Sequence, residues 1–304
     1  MLGVGAIGSV VAASLAGTDV EVHLHVRGER GALQMLQGLT IRGHKTVEIE
    51  ASRFLFSCEE LPVEEGLVHG SDVVILACKS HAVEHLAQTA ANFLKPDGVV
   101  MALSNGLGHA TTLRRVNGPG CVLASMTTHG AYLEGESTVW AGFGRVGLAL
   151  PPMGPSPLKL RGVVDALRDA GLDPWVHEDA STLVWQKVML NIAINPIAAL
   201  AGLKNGELLQ PDLFNACMMV YREAAQVAAM ERVVLSSEQD FEAHLREVLE
   251  STKDNTCSML QDIKAGRVTE IEALNQALIL LAEEHGIAVP INQTLVALVR
   301  ACHP

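Results

Sequence analysis

Three polar side chains, Lys187, Asn191 and Asn195, interrupt the apolar run VWQKVMLNIAINPIAAL between Val184 and Leu200 at four-residue spacing. On an α-helix this spacing sets them on one slowly drifting face. An amine and two amides desolvated without partners cost on the order of several kcal/mol, so something polar should meet them. A pocket for a small polar molecule would supply that partner; a satisfied structural network is the alternative. The lysine favours the pocket. Lysine is rarely buried unless paired, and burial lowers its pKa towards values useful for acid–base chemistry.

A second signal opens the chain. Gly3-Val4-Gly5-Ala6-Ile7-Gly8 is a G-x-G-x-x-G that leads into a small-residue helix over Ser9–Ala16. In such a turn the first glycine permits the bend and the second lets backbone amides approach a pyrophosphate. The third allows close helix packing, with phosphates at the helix N-terminus. Gly3, Gly5, Ala6, Ile7 and Gly8 are therefore candidate dinucleotide contacts. The next strand ends in His25-Val26-Arg27-Gly28-Glu29-Arg30, with no acidic residue where the ribose hydroxyls of NAD would be held. Arg27 could instead meet a 2′-phosphate through charge-assisted bonds, which favours NADP. The alternative for Arg27 is a solvated loop arginine with Glu29 as salt partner.

These residues need a frame. Short β-branched runs (Val20–Val26, Val73–Cys78, Val99–Ala102, Val122–Ala124, Val146–Leu150) alternate with helical stretches through the first half, and a last strand is expected near Pro174–His177. The pattern predicts an α/β fold, a doubly wound, mostly parallel sheet with helices on both faces. Lys79 and Asn105 fall at carboxyl ends of strands, where open α/β sheets place ligands. A surface lysine and a plain Asn-Gly turn are their alternatives. After Asp179 only helical periodicity remains: Val184–Leu200, Leu213–Glu231, Glu238–Glu250, Asn255–Ala265, Glu270–His285 and Ile291–Cys302. The division expected is residues 1–178 and 179–304, with the lysine helix opening the second part against the cleft. Thr269 and Glu272 have the spacing of a capping box, which would leave Glu270 as a first-turn carboxylate.

Composition bounds the rest. The 304 residues are 49% hydrophobic with a net charge of −12, which argues against a nucleic-acid surface and against an anionic membrane. Six scattered cysteines without a C-x-x-C pair fit free thiols in a reducing cytoplasm. No metal-ligand spacing occurs among the twelve histidines. The apolar N-terminus lacks the basic leader of a secretory signal, and no apolar run is expected to span a bilayer, since the Val184 segment carries its Lys and Asn residues. Only Met1 and Leu2 precede Gly3, so the usual central strand is almost missing. Either the start is truncated, or the sheet lacks a full centre and is less stable.

Taken together, the chain resembles the ketopantoate reductase (2-dehydropantoate 2-reductase) family. The resemblance rests on GVGAIG at 3–8, CKSH at 78–81, SNGLG at 104–108, TTHGA at 127–131, WQKVMLNIAINPIAAL at 185–200, KNGEL at 204–208 and NTCSMLQDIKAGRVTEIE at 255–272. It implies a Rossmann-like NADP-binding domain followed by an all-helical substrate domain. It also implies NADPH-dependent reduction of 2-dehydropantoate to (R)-pantoate, a step of pantothenate and coenzyme A biosynthesis. By this resemblance Lys187 is the general acid and Glu270 the carboxylate that orients lysine, cofactor and substrate. Asn191, Asn195 and Ser258 are substrate contacts, with Asn255 nearby. Asn105 meets nicotinamide and the substrate carboxylate, while Lys79 and Arg27 hold the cofactor. Cys257 departs from the family, where serine is common. A reductase of another branched 2-oxo acid and a non-catalytic NADP binder remain as alternatives, and the protein is a monomer or homodimer.

Overall fold

The β-branched runs of the first half become strands whose alternate residues are buried on opposite faces. The computed structural model describes residues 1–302 and divides into two units, one of residues 1–104 and 109–183, the other of residues 105–108 with those from 184 onward. The first unit runs α1 (Ala6–Ala16), β1 (Val22–Val26), α2 (Gly28–Gln37), β2 (Leu39–Gly43), β3 (Val47–Ile49), β4 (Phe54–Cys58), β5 (Ser71–Leu76), α3 (Val83–Phe93), β6 (Leu94–Ala102), α4 (His109–Asn117), β7 (Ala124–Thr127), β8 (Gly130–Glu134), β9 (Ser137–Gly142), β10 (Val146–Ala149), α5 (Pro157–Asp169) and β11 (Pro174–Val176).

The main sheet has the order β4–β1–Leu2–β5–β6–β7–β10–β11. Parallel ladders join β1 to β4 and β5 to β6, and parallel bridges run from Leu2 to His25 and to Leu76 and from Val100 to Val122. The missing first strand does not leave a gap: Leu2 donates to the Ile75 carbonyl at 2.8 Å and accepts from Ala77 at 2.8 Å, while His25 donates to the Met1 carbonyl at 3.0 Å. Two residues thus carry the ladder across the sheet centre. Ile75, Val99 and Met101 face a core with α1 and α5, whereas Val74, Leu76, Val100 and Ala102 face one with α3 and α4. Helices on both faces account for these unbroken apolar strands. The sheet is not wholly parallel, since β7 and β10 pair antiparallel.

A second sheet, unread in the sequence, has the order β3–β2–β9–β8. Its hairpin β8–β9 turns at Gly135, whose φ of +58° suits a two-residue turn. Leu39, Ile41 and Trp140 of this sheet share a core with α1. Enclosed in this way, α1 is buried over Gly8–Ala16, hence its small residues.

The second unit is helical: α6 (Ala180–Ala201), α7 (Pro211–Met230), α8 (Glu238–Ser251), α9 (Ser258–Lys264), a π-helical turn over Glu272–Gln276, α10 (Ala277–Glu284) and α11 (Pro290–Ala301). Its core is built on Ile192, Ala193 and Ala198 of α6, all fully buried. By length and composition α6, with mean hydropathy 1.3, could cross a membrane, contrary to the sequence expectation; 67% of that stretch is buried within the protein. Two boundaries also differ from expectation. Asn255 lies outside α9, and the helix expected from Glu270 begins as the π turn. Glu272 closes no capping box. Its carboxylate takes the Arg300 guanidinium in a fork, with Nε and one Nη each at 2.7 Å.

Candidate active site

Lys187 sits mid-way along α6, partly buried, with the fully buried core residue Leu183 one turn before it. Burial pulls its ammonium down to about 8, and the Glu270 carboxylate works in the opposite direction. Glu270 is itself 5% exposed. A charged carboxylate that far inside needs partners. One is the Asn105 amide, whose Nδ2 donates to Glu270 Oε2 at 3.0 Å. An amine poised to lose a proton near neutrality, a buried carboxylate that opposes that loss and an amide fixing the carboxylate form one constellation.

Local backbone features position this group. The Leu107 N–H donates to the Ala273 carbonyl in the π turn at 2.8 Å. Gly106 has φ +121°, and a Cβ there would fall 2.6 Å from the Ala273 oxygen. Only glycine allows the Asn105 loop to press so closely on the segment that carries Glu270. A single π turn at such a place re-aims residues without ending a helix.

Asn191 and Asn195 lie one and two turns beyond Lys187 on the same face of α6, Asn195 at 7% exposure. Among the described residues neither side-chain amide has a protein hydrogen-bond partner. Neither amide is sealed from solvent, so both stand open to a ligand, and the structural-network alternative loses ground for these two. Downstream, Cys257 caps α9: its sulfur accepts from the Leu260 N–H at 3.4 Å and donates to the Asn195 carbonyl at 3.6 Å. The thiol performs the capping that a serine hydroxyl would, and it ties the start of α9 to α6 beside Asn195. Ser258, the next residue, and Asn255 are both exposed. Asn205 has a structural task. Its Nδ2 donates to Thr252 Oγ1 at 3.0 Å and its N–H to the Asn255 carbonyl at 3.0 Å, which pins the loop before Ser258.

Sequence reasoning missed the support behind α6. Pro196 lies inside the helix and has no N–H, so the Ile192 carbonyl lacks its usual i+4 donor. The fully buried Asn275 supplies one from Nδ2 at 3.2 Å. Asn275 Nδ2 also donates to Asn292 Oδ1 at 2.9 Å, and Asn292 Nδ2 to Glu223 Oε2 at 2.8 Å. Glu223 further accepts the backbone N–H groups of Ile291 and Asn292. A proline within an otherwise apolar helix was the available signal, because its orphaned carbonyl must find a donor.

In the first unit the glycine turn has a distinct demand at each position. Gly3 has φ +85°, with a Cβ there 2.9 Å from Cys78 Cβ; a Cβ on Gly8 would lie 2.1 Å from the Gly3 oxygen. A Cβ at Gly5 would meet nothing within 4 Å, and Gly5 caps α1 with no side-chain bond. The first amides of α1, including those of Ala6 and Ile7, have no intrahelical acceptor, and with the open space at Gly5 this turn fits an anion such as a pyrophosphate. Lys79 follows β5 and is partly buried. Its loop is tied to that after β6, since Ser104 Oγ donates to the Cys78 carbonyl at 2.7 Å. Arg27, 64% exposed, lies 3.8 Å from Glu59, so its salt partner is not the expected Glu29. Among the described residues no group of three or more His, Cys, Asp or Glu side chains could hold a metal ion.

Comparison with known proteins matches this architecture along the whole chain. Residues 1–151 match the model of "Ketopantoate reductase PanE/ApbA" and residues 179–303 that of its C-terminal domain. The chain is 33% identical to a 2-dehydropantoate 2-reductase of Archaeoglobus fulgidus over 99% of its length and 96% of that protein. It is 31% identical to one of Pyrococcus horikoshii with the same coverage. Among solved structures, a ternary complex of D-mandelate dehydrogenase with NADH and anilino(oxo)acetate superposes with a TM-score of 0.89 at 25% identity, covering 99% of this chain and 98% of that one. On the strength of both matching halves and these full-length relatives, the chain belongs to the ketopantoate reductase family.

Proposed function

We propose that the protein reduces the ketone of 2-dehydropantoate to (R)-pantoate with NADPH. The observation that carries this reading is the lysine of lowered pKa beside Glu270, with Asn105 on the same carboxylate. A bound NADPH supplies a hydride to the ketone carbon. The Lys187 ammonium stabilises the charge that grows on the ketone oxygen and delivers the proton from Nζ. Glu270 keeps that amine protonated where burial would discharge it, and it orients lysine, cofactor and substrate. Asn105, fixed against Glu270, serves the nicotinamide end and the substrate carboxylate. Asn191 and Asn195 offer amides with no other protein partner to the substrate, with Ser258 and Asn255 at its edge. The Gly3–Gly8 cradle takes the pyrophosphate, and Lys79 and Arg27 hold the rest of the cofactor, Arg27 at the 2′-phosphate. In this assignment residues 1–178 bind nucleotide and residues from 179 onward bind substrate. Six free thiols support a cytoplasmic location.

The test is direct. Purified protein, NADPH and 2-dehydropantoate are mixed and the loss of reduced-nicotinamide absorbance is followed. Turnover is expected, and cofactor binding without oxidation by any oxo acid would refute it. A second reading, reduction of another 2-oxo acid on the same scaffold, is favoured by the likeness to D-mandelate dehydrogenase. Comparing kcat/KM for 2-dehydropantoate, 2-oxoisovalerate, 2-oxoisocaproate and benzoylformate separates the two.

A further inference from the structure

The end of β1 carries more negative charge than recognition of a 2′-phosphate requires. Two groups there could attract a phosphate: the Arg27 guanidinium and the first amide of α2. Both already have carboxylate partners from the end of β4. Glu59 Oε2 lies 3.8 Å from an Arg27 Nη, and Glu59 Oε1 is held from its other side by His85 Nε2 at 2.5 Å. Glu60 Oε1 accepts the Gly28 N–H at 2.9 Å, and the Cys58 thiol bonds to Glu60 Oε2. The Cys58 thiol, and then the Gly28 amide, hold the Glu60 carboxyl below the usual carboxylate range, so it is ionised at neutral pH. Glu59 is also fixed through its backbone, its N–H donating to the Val26 carbonyl at 3.0 Å. These carboxylates are therefore set beside Arg27 by the β1–β4 ladder, whose last pair is Val26 with Cys58.

We propose that Glu59 and Glu60 are specificity-determining residues that compete with the ribose 2′-phosphate for Arg27 and the α2 amide. This rests on reading Arg27 as the residue that faces that phosphate. A dianionic 2′-phosphate must displace Glu59 from Arg27 and approach Glu60, whereas the ribose hydroxyls of NADH can donate hydrogen bonds to either carboxylate. The protein then accepts both reduced nucleotides, and the affinities differ by less than about tenfold, the scale of one exposed charge pair.

The experiment measures dissociation constants for NADPH and NADH by nicotinamide fluorescence, and for adenosine 2′,5′-bisphosphate and AMP by their displacement. It uses the full chain and the variants Glu59→Gln, Arg27→Gln and the double variant. Glu59→Gln is expected to tighten NADPH and adenosine 2′,5′-bisphosphate roughly two- to fivefold, the scale of one exposed charge pair, and to leave NADH and AMP no tighter, since they lose a charged acceptor for the ribose hydroxyls. In the Arg27→Gln background that gain should vanish, because the two residues act as a pair. Retained NADH binding and an unchanged far-ultraviolet circular-dichroism spectrum show that the variants are folded. Three results would overturn the proposal: NADPH preferred more than a hundredfold by the unaltered protein, equal effects of Glu59→Gln on both nucleotides, or a gain that survives without Arg27. If the unaltered protein bound none of the four, the proposed function would fall as well; binding indifferent to Glu59 sinks this inference alone.

Discussion

Replacing Glu270 by glutamine separates charge from shape at the centre of the site. Glutamine keeps an oxygen for the Asn105 amide, which donates at 3.0 Å in the native protein, and removes only the negative charge. That charge raises the pKa of Lys187 against the effect of burial, and the balance lies at about 8. An opposite charge close to a titrating group commonly moves its pKa by about 1–3 units, so removing it should lower Lys187 by at least about one unit. With the lysine as the acid, its protonated fraction at pH 7.5 would fall from about three-quarters to about one-quarter, a threefold loss. For a one-unit fall, both proteins would hold most of the proton at pH 6, and the loss from this cause would shrink to about a tenth. The assay is kcat against pH from 6 to 9 under conditions where chemistry limits. The expected result is an alkaline limb near pH 8 in the native protein and at least about one unit lower in the variant. An identical limb in both, or a uniform loss at every pH, would refute the electrostatic role of Glu270.

Lys187→Met should lower kcat by roughly two to four orders of magnitude, as loss of a general acid does, while NADPH binding persists; near-normal turnover would remove Lys187 from the mechanism. The same variant should be more stable below pH 8. The folded pKa of Lys187 lies below its unfolded value, so the unfolded chain binds more protons between about pH 8 and 10.4, and the penalty, about 1–3 kcal/mol, is fully present below that window and relieved through it. Urea denaturation at pH 7 and pH 10 measures this. Gly106→Ala would place a Cβ 2.6 Å from the Ala273 oxygen; a loss of about 1–3 kcal/mol in thermal unfolding and a fall in kcat are expected. Asn275→Leu leaves the Ile192 carbonyl without its donor, for a loss of about 1–3 kcal/mol by denaturation. Cys257→Ser keeps the cap on Leu260 and should change stability by less than about 1 kcal/mol in the same measurement.

Much of this was legible because it depends on periodicity. The glycine turn, the buried strands and the four-residue rhythm of Lys187, Asn191 and Asn195 are statements about a single segment. The β8–β9 hairpin went unread because β8 is partly or fully exposed along its length and carries little apolar alternation. Its Gly135 turn was the remaining signal. Cys257 looked like a departure in the sequence, yet its thiol makes the capping bond that a serine hydroxyl could make. The approach of Gly106 to Ala273 and the carboxylates beside Arg27 involve residues far apart in the chain. No window on the sequence contains both halves of such a contact.

The asparagine relay behind α6 has a direction. A carboxylate gives no proton, so Glu223 obliges Asn292 to turn its NH₂ towards it. Asn292 must then show oxygen to Asn275, and Asn275 must answer with its own NH₂. What arrives at the helix broken by Pro196 is thus always a donor, the one kind of group its stranded carbonyl can use. A glutamine at position 223 would fill the same volume but let both amides rotate, and the proline would lose the guarantee that makes it tolerable.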